Sequence, residues 1–338
     1  MSANLKAKMC ESLALTLSEL DELAHTAPGR YKVYPIKKKS GGSRTICQPA
    51  QEVKFVQKFL IKKYLSHYAI HNCATAYVEG SSAYKNSLRH SGNSYIIKID
   101  FKNFFNSIKA QDFENFIEKN NIFKFTKEEI KILSYFLFWW DRYTKQLVLS
   151  IGAPSSPIVS NIMLLPFDLV IDEFCKKKSC VYTRYADDIT LSSKAKNNLM
   201  ECYEFLLAHI SQAGISSLSI NQQKTKFLSK KGKRIVTGYI ISNEGKSSLG
   251  REKKRQIRAM IHGALLKARP DSLSKINYIV GILGHVGFSD QVFWSSLEET
   301  YGQDFFKKLL DIQAKQIDKP KMSKATILDI LKSLDLKK

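Results

Sequence analysis

The chain has 338 residues, and its 53 Lys and Arg against 31 Asp and Glu leave a formal net charge of +22. With 44% hydrophobic and 25% charged residues the mix is that of a globular protein, which excludes wholesale disorder and leaves room for one large domain or a few subdomains. A positive surplus of that size repels itself unless neutralised, and it implies a polyanionic partner, nucleic acid ahead of an anionic membrane surface.

In chain order, Leu5, Met9, Leu13, Leu17, Leu20 and Leu23 recur at helical steps and predict one amphipathic helix over the first 25 residues. Residues 30–49 read as a β-hairpin around Gly41-Gly42 with a basic tip, and residues 51–67 as a helix. Residues 95–101 (YIIKIDF) are a short β-prone run; helical stretches follow at 112–118 and 127–140, then a hairpin-like segment at 141–149. After residues 151–157 (IGAPSSP) a helix is expected to about residue 176, then strand, tight turn and strand over 180–193. A helix over 196–212, short strands over 226–249 and a helical remainder broken at Pro270 and Pro320 complete the pattern. Segregated strands and helices of this kind indicate α+β. No dinucleotide or P-loop fingerprint is present. The longest apolar run, residues 132–140, is far shorter than the roughly 20 residues of a spanning helix, and the N-terminus lacks a cleavage-site pattern. Six scattered cysteines without zinc spacing read as reduced thiols. The expectation is a cytoplasmic protein without a membrane partner.

The chemistry points to carboxylates. Asp187-Asp188 sits where residues 181–193 (VYTRYADDITLSS) must turn, and Asp100 ends the apolar strand YIIKID. Like charges held that close need a cation. Three carboxylates from two strands suit two Mg²⁺ ions about 3.5–4 Å apart, the arrangement that clamps attacking and leaving oxygens in phosphoryl transfer. Joined to the charge surplus, this argues nucleotidyl transfer on a nucleic-acid template.

These residues resemble a family. Tyr185-Ala186-Asp187-Asp188 resembles the Y-x-D-D signature of reverse transcriptases, Asp100 with Phe104-Phe105 resembles their preceding aspartate motif, and Gly152-Ala153-Pro154-Ser155-Ser156-Pro157 resembles the block between them. Asn86-Ser87-Leu88-Arg89-His90 resembles the N-A-x-x-H element of the bacterial retron branch, with Ser87 in place of its alanine, and Val236-Thr237-Gly238 matches that branch's V-T-G triplet. The resemblance implies a right-hand polymerase: an N-terminal helical extension over 1–29, fingers over 30–94, a palm with an antiparallel sheet over 95–240 (fingers helices inserted around 109–150), a helical thumb over 241–316 and a helical tail over 317–338.

It also implies roles. Asp100, Asp187 and Asp188 would be catalytic and hold the metals. For the incoming dNTP it implies Lys38 and Arg44 of the basic tip, the backbone N–H of Phe101, the ring of Phe105 as a gate against a 2′-hydroxyl, Ala153 of the G-A-P-S-S-P block, and Lys224 as a proton donor to pyrophosphate. RNA contacts are expected at Asn86, His90, Val236, Thr237 and Gly238, and on the basic helix at Arg251, Lys254, Arg255 and Arg258. One departure stands out: Ile151 replaces a glutamine that many reverse transcriptases carry before this block, which points to altered fidelity or rate. As a retron enzyme it would prime on a 2′-hydroxyl of a cognate structured noncoding RNA and make a branched RNA–DNA hybrid. An accessory effector protein in antiphage defence is expected, as is a host ribonuclease H, because too few residues follow the thumb for one of its own. The alternatives are another bacterial reverse transcriptase, of the diversity-generating or stand-alone defence type, and a non-catalytic RNA-binding scaffold.

Overall fold

The computed structural model describes residues 4–37, 41–266, 272–302, 304, 306 and 307. It divides into two compact units, Met1–Thr237 and Gly238–Lys338. The first unit gathers the sequence segments 1–29 and 30–94 and nearly all of 95–240 into one body.

The first correction lies at the start of the chain. Instead of one helix there are two, Leu5–Leu13 and Leu17–Thr26, separated at Ala14 in a left-handed conformation (φ 53°). Thr16 and Glu19 form a reciprocal capping box that starts the second helix. The break explains why Leu5, Met9 and Leu20 are fully buried while Leu17 is 58% exposed. The Leu5 N–H donates to Glu129 at 2.6 Å, which ties this extension to the helix Lys127–Leu137.

Strands β1 (Tyr31–Lys37) and β2 (Ser43–Pro49) form an antiparallel hairpin in register from Tyr31 opposite Pro49 to Lys37 opposite Ser43. The described residues of its turn half are exposed, and Gly41 and Gly42 adopt the positive φ that a tight reversal demands. The helix Gln51–Lys63 follows and buries Val53, Val56 and Leu60.

The remaining strands of this unit are β3 (Tyr95–Asp100), β4 (Trp139–Asp141), β5 (Gln146–Val148), β6 (Val181–Tyr185), β7 (Asp188–Ser193), β8 (Lys226–Ser229) and β9 (Arg234–Val236). The central sheet runs β6-β7-β3-β8, antiparallel throughout. Ile96, Ile97 and Ile99 of β3 are buried on both faces of the strand, as a central strand requires, while Lys98 between them is only half-buried. The helices Leu165–Lys177 and Lys196–His209 pack on this sheet. The single helix expected before β6 is in fact two, Ser156–Met163 and Leu165–Lys177, each with a proline in its first turn.

In the second unit β10 (Tyr239–Ile241) pairs antiparallel with β11 (Ser247–Ser248), followed by the helices Arg251–Leu266, Ser272–Ser289 and Gln291–Tyr301. Ile257, Ile261, Leu283, Val286, Phe293 and Leu297 make a separate apolar core. The expected tail at 317–338 lies outside the described residues. Among the described residues no helix is long and apolar enough to cross a membrane.

Candidate active site

Asp100 is the last residue of β3, and its register partner is Asp188, the first residue of β7. Directly opposed residues of an antiparallel pair share a face, so the ladder itself brings these two carboxylates together. Asp187 is the second residue of the two-residue turn joining β6 to β7. The first, Ala186, has φ 58°, the left-handed entry of a primed hairpin turn. The Phe101 N–H donates to the Asp187 carbonyl at 3.1 Å and ties the end of β3 to this turn.

The electrostatics follow from that crowding. Asp187 is held above the usual carboxylate range first by burial and then by Asp188 and Asp100, with Arg44 opposing. Burial raises Asp188 as well; Lys98 and Lys224 oppose the rise and Asp100 adds to it. Lys224 Nζ lies 2.7 Å from Asp100 Oδ2, and that bond raises the lysine's own pKa. An oxygen-only donor set with excess negative charge, already drawing in one ammonium, fits a hard divalent cation. As the side chains stand, no group of three His, Cys, Asp or Glu among the described residues is gathered to hold an ion.

A buried network supports the turn. Arg184 and Asp168 are both fully buried and paired at 2.7 Å, and Asp168 also accepts from the Tyr182 hydroxyl at 2.7 Å. Arg184 Nη1 reaches Asn161 Oδ1 at 3.0 Å and the carbonyl of Ala186 at 3.4 Å. None of Arg184, Asp168 and Asn161 was singled out from the sequence, although an arginine two residues before an acidic turn, inside an apolar strand, was a usable signal.

Several expected nucleotide contacts sit differently. Arg44 lies exposed on β2, and its charge works against the rise in the Asp187 pKa. The Phe101 N–H, expected to meet a triphosphate, donates to the Asp187 carbonyl in this structure. Ala153 is 5% exposed. Phe104 is buried and stacks on Phe101 at 5.3 Å, while Phe105 is only half-buried. Gly152, at φ 123°, is held so close to β2 that a Cβ would meet the Cys47 carbonyl oxygen at 3.2 Å, and the Cys47 N–H donates to the Ile151 carbonyl at 2.8 Å. The G-A-P-S-S-P block therefore clasps the strand that carries Arg44. Lys38 lies outside the described residues.

Residues 36–257 match the family model described as "Reverse transcriptase (RNA-dependent DNA polymerase)". The chain is 34% identical over 296 residues to the retron Ec83 reverse transcriptase of Escherichia coli, covering 86% of this chain and 93% of that one. It is 32% identical to the retron Ec73 enzyme of the same organism, covering 82% and 89%. The chain belongs to the retron reverse transcriptases. It is thus an RNA-directed DNA polymerase of the α+β, right-hand class. Solved telomerase structures from Candida albicans (14% identity, TM-score 0.45, 90% of this chain and 63% of that) and Candida tropicalis (12%, 0.44, 95% and 69%) are also similar.

The retron-specific elements of this reverse transcriptase are mostly internal. Asn86 and His90, expected to touch RNA, are fully buried, which corrects that reading. His90 bonds through its two ring nitrogens to Ser192 Oγ at 2.7 Å and Thr183 Oγ1 at 2.8 Å. Burial pushes its pKa down to about 3. Asn86 Oδ1 accepts from Thr75 at 3.0 Å, and Asn86 Nδ2 reaches Thr237 Oγ1 at 3.5 Å. Val236 is buried too, so of the triplet only half-buried Thr237 and exposed Gly238 have surface to offer RNA. Both have positive φ, 45° and 87°. On the basic helix, Lys254 is spent on Asp290 at 2.8 Å and Arg258 on Ser296 Oγ at 2.7 Å, both lying over the Phe293 ring. Arg251 and Arg255, one turn apart, stay exposed.

Proposed function

We propose that this retron reverse transcriptase copies part of its cognate structured noncoding RNA into DNA in a Mg²⁺-dependent reaction, starting from a 2′-hydroxyl of that RNA and yielding a branched RNA–DNA hybrid (msDNA). The observation that carries the reading is the convergence of Asp100, Asp187 and Asp188 at the adjoining ends of β3, β6 and β7. In each addition a hydroxyl oxygen attacks the α-phosphorus of a dNTP. A P–O bond forms, the bond to the β-phosphate oxygen breaks, pyrophosphate leaves and the hydroxyl proton is lost. Two bound Mg²⁺ ions would supply charge neutralisation at the attacking and leaving oxygens.

The chain's own residues do the rest. Asp100 and Asp187 hold the cations, with Asp188 supporting. Arg44 and Lys38 on the fingers hairpin clamp phosphate. Phe105 excludes a 2′-hydroxyl, and Lys224, released from Asp100, can give a proton to pyrophosphate. The fingers, palm and thumb divisions at 30–94, 95–240 and 241–316, a cytoplasmic setting, trimming by a host ribonuclease H and an accessory effector in antiphage defence belong to the same reading. It is supported by the retron relatives across most of the chain.

The test is primer extension with dNTPs on an RNA template. The double variant Asp187→Asn/Asp188→Asn is expected to lose DNA synthesis by about a thousandfold, the upper end of what losing one preorganised electrostatic contact costs. It should keep RNA affinity within a few-fold. Synthesis at the wild-type rate would refute the assignment.

A further inference from the structure

Residues 73–77 run beside β6. The Arg184 N–H donates to the Cys73 carbonyl and the Thr75 N–H to the Arg184 carbonyl, both at 2.8 Å, forming a parallel bridge between Ala74 and Arg184. Tyr77 follows the bridge by three residues, and Arg184 also reaches the carbonyl of Ala186, the first residue of the turn that carries Asp187. Asn161, itself held by Arg184, donates to the Ala76 carbonyl at 3.0 Å and fixes the residue before Tyr77.

Tyr77 is unusual on two counts. It has φ 61°, a left-handed conformation that is a real outlier for a bulky side chain. It is also 61% exposed, so no core packing compensates. Strained backbone that survives selection for stability collects where the strain serves a site. Two of the other non-glycine residues with positive φ, Asn103 and Ala186, flank the same carboxylates in sequence. The inner end of Tyr77 is nevertheless crowded. Its phenol is pushed up in pKa by burial and then by Asp187 and Tyr185, with Arg44 opposing.

We infer that Tyr77 is a substrate-contacting residue of the polymerase site, a fixed aromatic platform on which a nucleobase at the growing end of the duplex stacks. The chemistry is that of a π-face beside a phosphate-binding arginine, tolerant of base identity. The proposal rests on the polymerase reading given above. The base belongs either to the incoming dNTP or to the primer–template.

Single-nucleotide extension of a DNA primer on an RNA template gives the KM for dNTP and kcat, and fluorescence anisotropy with the same duplex gives its Kd. Tyr77→Ala is expected to weaken one of the two by about five- to a hundredfold, the range of one lost base–aromatic stack. Tyr77→Phe and Tyr77→Trp should remain within about threefold of wild type on that scale. A raised KM with Kd unchanged assigns the dNTP base; a raised Kd assigns the duplex. Tyr77→Gly should lose the same affinity while raising the melting temperature, because glycine relieves the left-handed backbone. Tyr77→Ala with both constants within twofold of wild type, or with only kcat reduced, overturns the inference. If the wild-type protein extends no primer, the polymerase reading itself has failed. Anisotropy with the duplex and with a fluorescent dNTP then decides, with both Kd values unchanged in Tyr77→Ala overturning the platform.

Discussion

His90 shows how a residue can matter to a nucleic-acid enzyme without touching nucleic acid. Its imidazole is fully buried between Thr183 of β6 and Ser192 of β7, the two strands joined by the turn that carries Asp187. The folded protein keeps the ring neutral down to about pH 3, whereas the unfolded chain takes up a proton near its ordinary pKa of 6.5. Protons therefore favour the unfolded state across that window. This contribution to stability is complete above about pH 6.5 and is lost as the pH falls, by up to about 1.4 kcal/mol per pH unit. Chemical denaturation of wild type and His90→Gln at a series of pH values should show this slope in the former and its loss in the latter; parallel curves would remove His90 from the account. The sequence pattern marks Asn86 and His90 as a retron-like pair, and His90 has no ligand-like spacing, which suits a structural histidine, but no pattern names its partners. Spacing reveals that residues recur together; only the sheet reveals that Thr183 and Ser192 lie waiting for both ring nitrogens.

At the scale of elements, the β6–β7 hairpin is the part of the site most legible in sequence and its support the least. Alternating apolar residues on either side of Ala186-Asp187 suffice to predict two strands and a tight turn. The apolar run ending in Asp100 suffices to place a carboxylate at a strand end. What the sequence could not supply is long-range pairing: Arg184 finds Asp168 sixteen residues away, and Phe101 finds the Asp187 carbonyl across the sheet. The same limit explains the divided N-terminal helix, where six leucine and methionine positions suited one helix and the Thr16–Glu19 capping box made two. Lys254 and Arg258 likewise looked free on a helical wheel until Asp290 and Ser296 were brought beside them. Arg184→Met, which leaves the Asp168 carboxylate buried without its counter-charge, is expected to cost about 3–5 kcal/mol of stability in denaturant unfolding. The paired change Arg184→Met/Asp168→Leu should recover much of that stability but not the polymerase rate, since the Ala186 carbonyl and Asn161 still lack their donor. Full recovery of both would show that the pair is structural filler.

For the whole molecule, the surplus of +22 now has partial addresses. Arg44, opposite Ile36 in the register, stands on the exposed half of its hairpin, and Arg251 with Arg255 forms an exposed pair on a helix otherwise bound to its own unit. RNA affinity should therefore fall linearly on a log–log plot against salt, and Arg251→Ala/Arg255→Ala should shallow that slope by about 1 per residue removed. A slope unchanged in the double variant would move the RNA path elsewhere. The carboxylates are the counterweight, few in number but concentrated where β3, β6 and β7 meet. The most direct test of the central claim is to purify the protein from cells carrying its own locus and digest the co-purifying nucleic acid separately with ribonuclease and deoxyribonuclease. The account predicts a species sensitive to both enzymes, branched at a 2′-hydroxyl, and absent when Asp187→Asn/Asp188→Asn replaces the wild type. RNA alone on the wild-type protein, with no DNA attached, would contradict it.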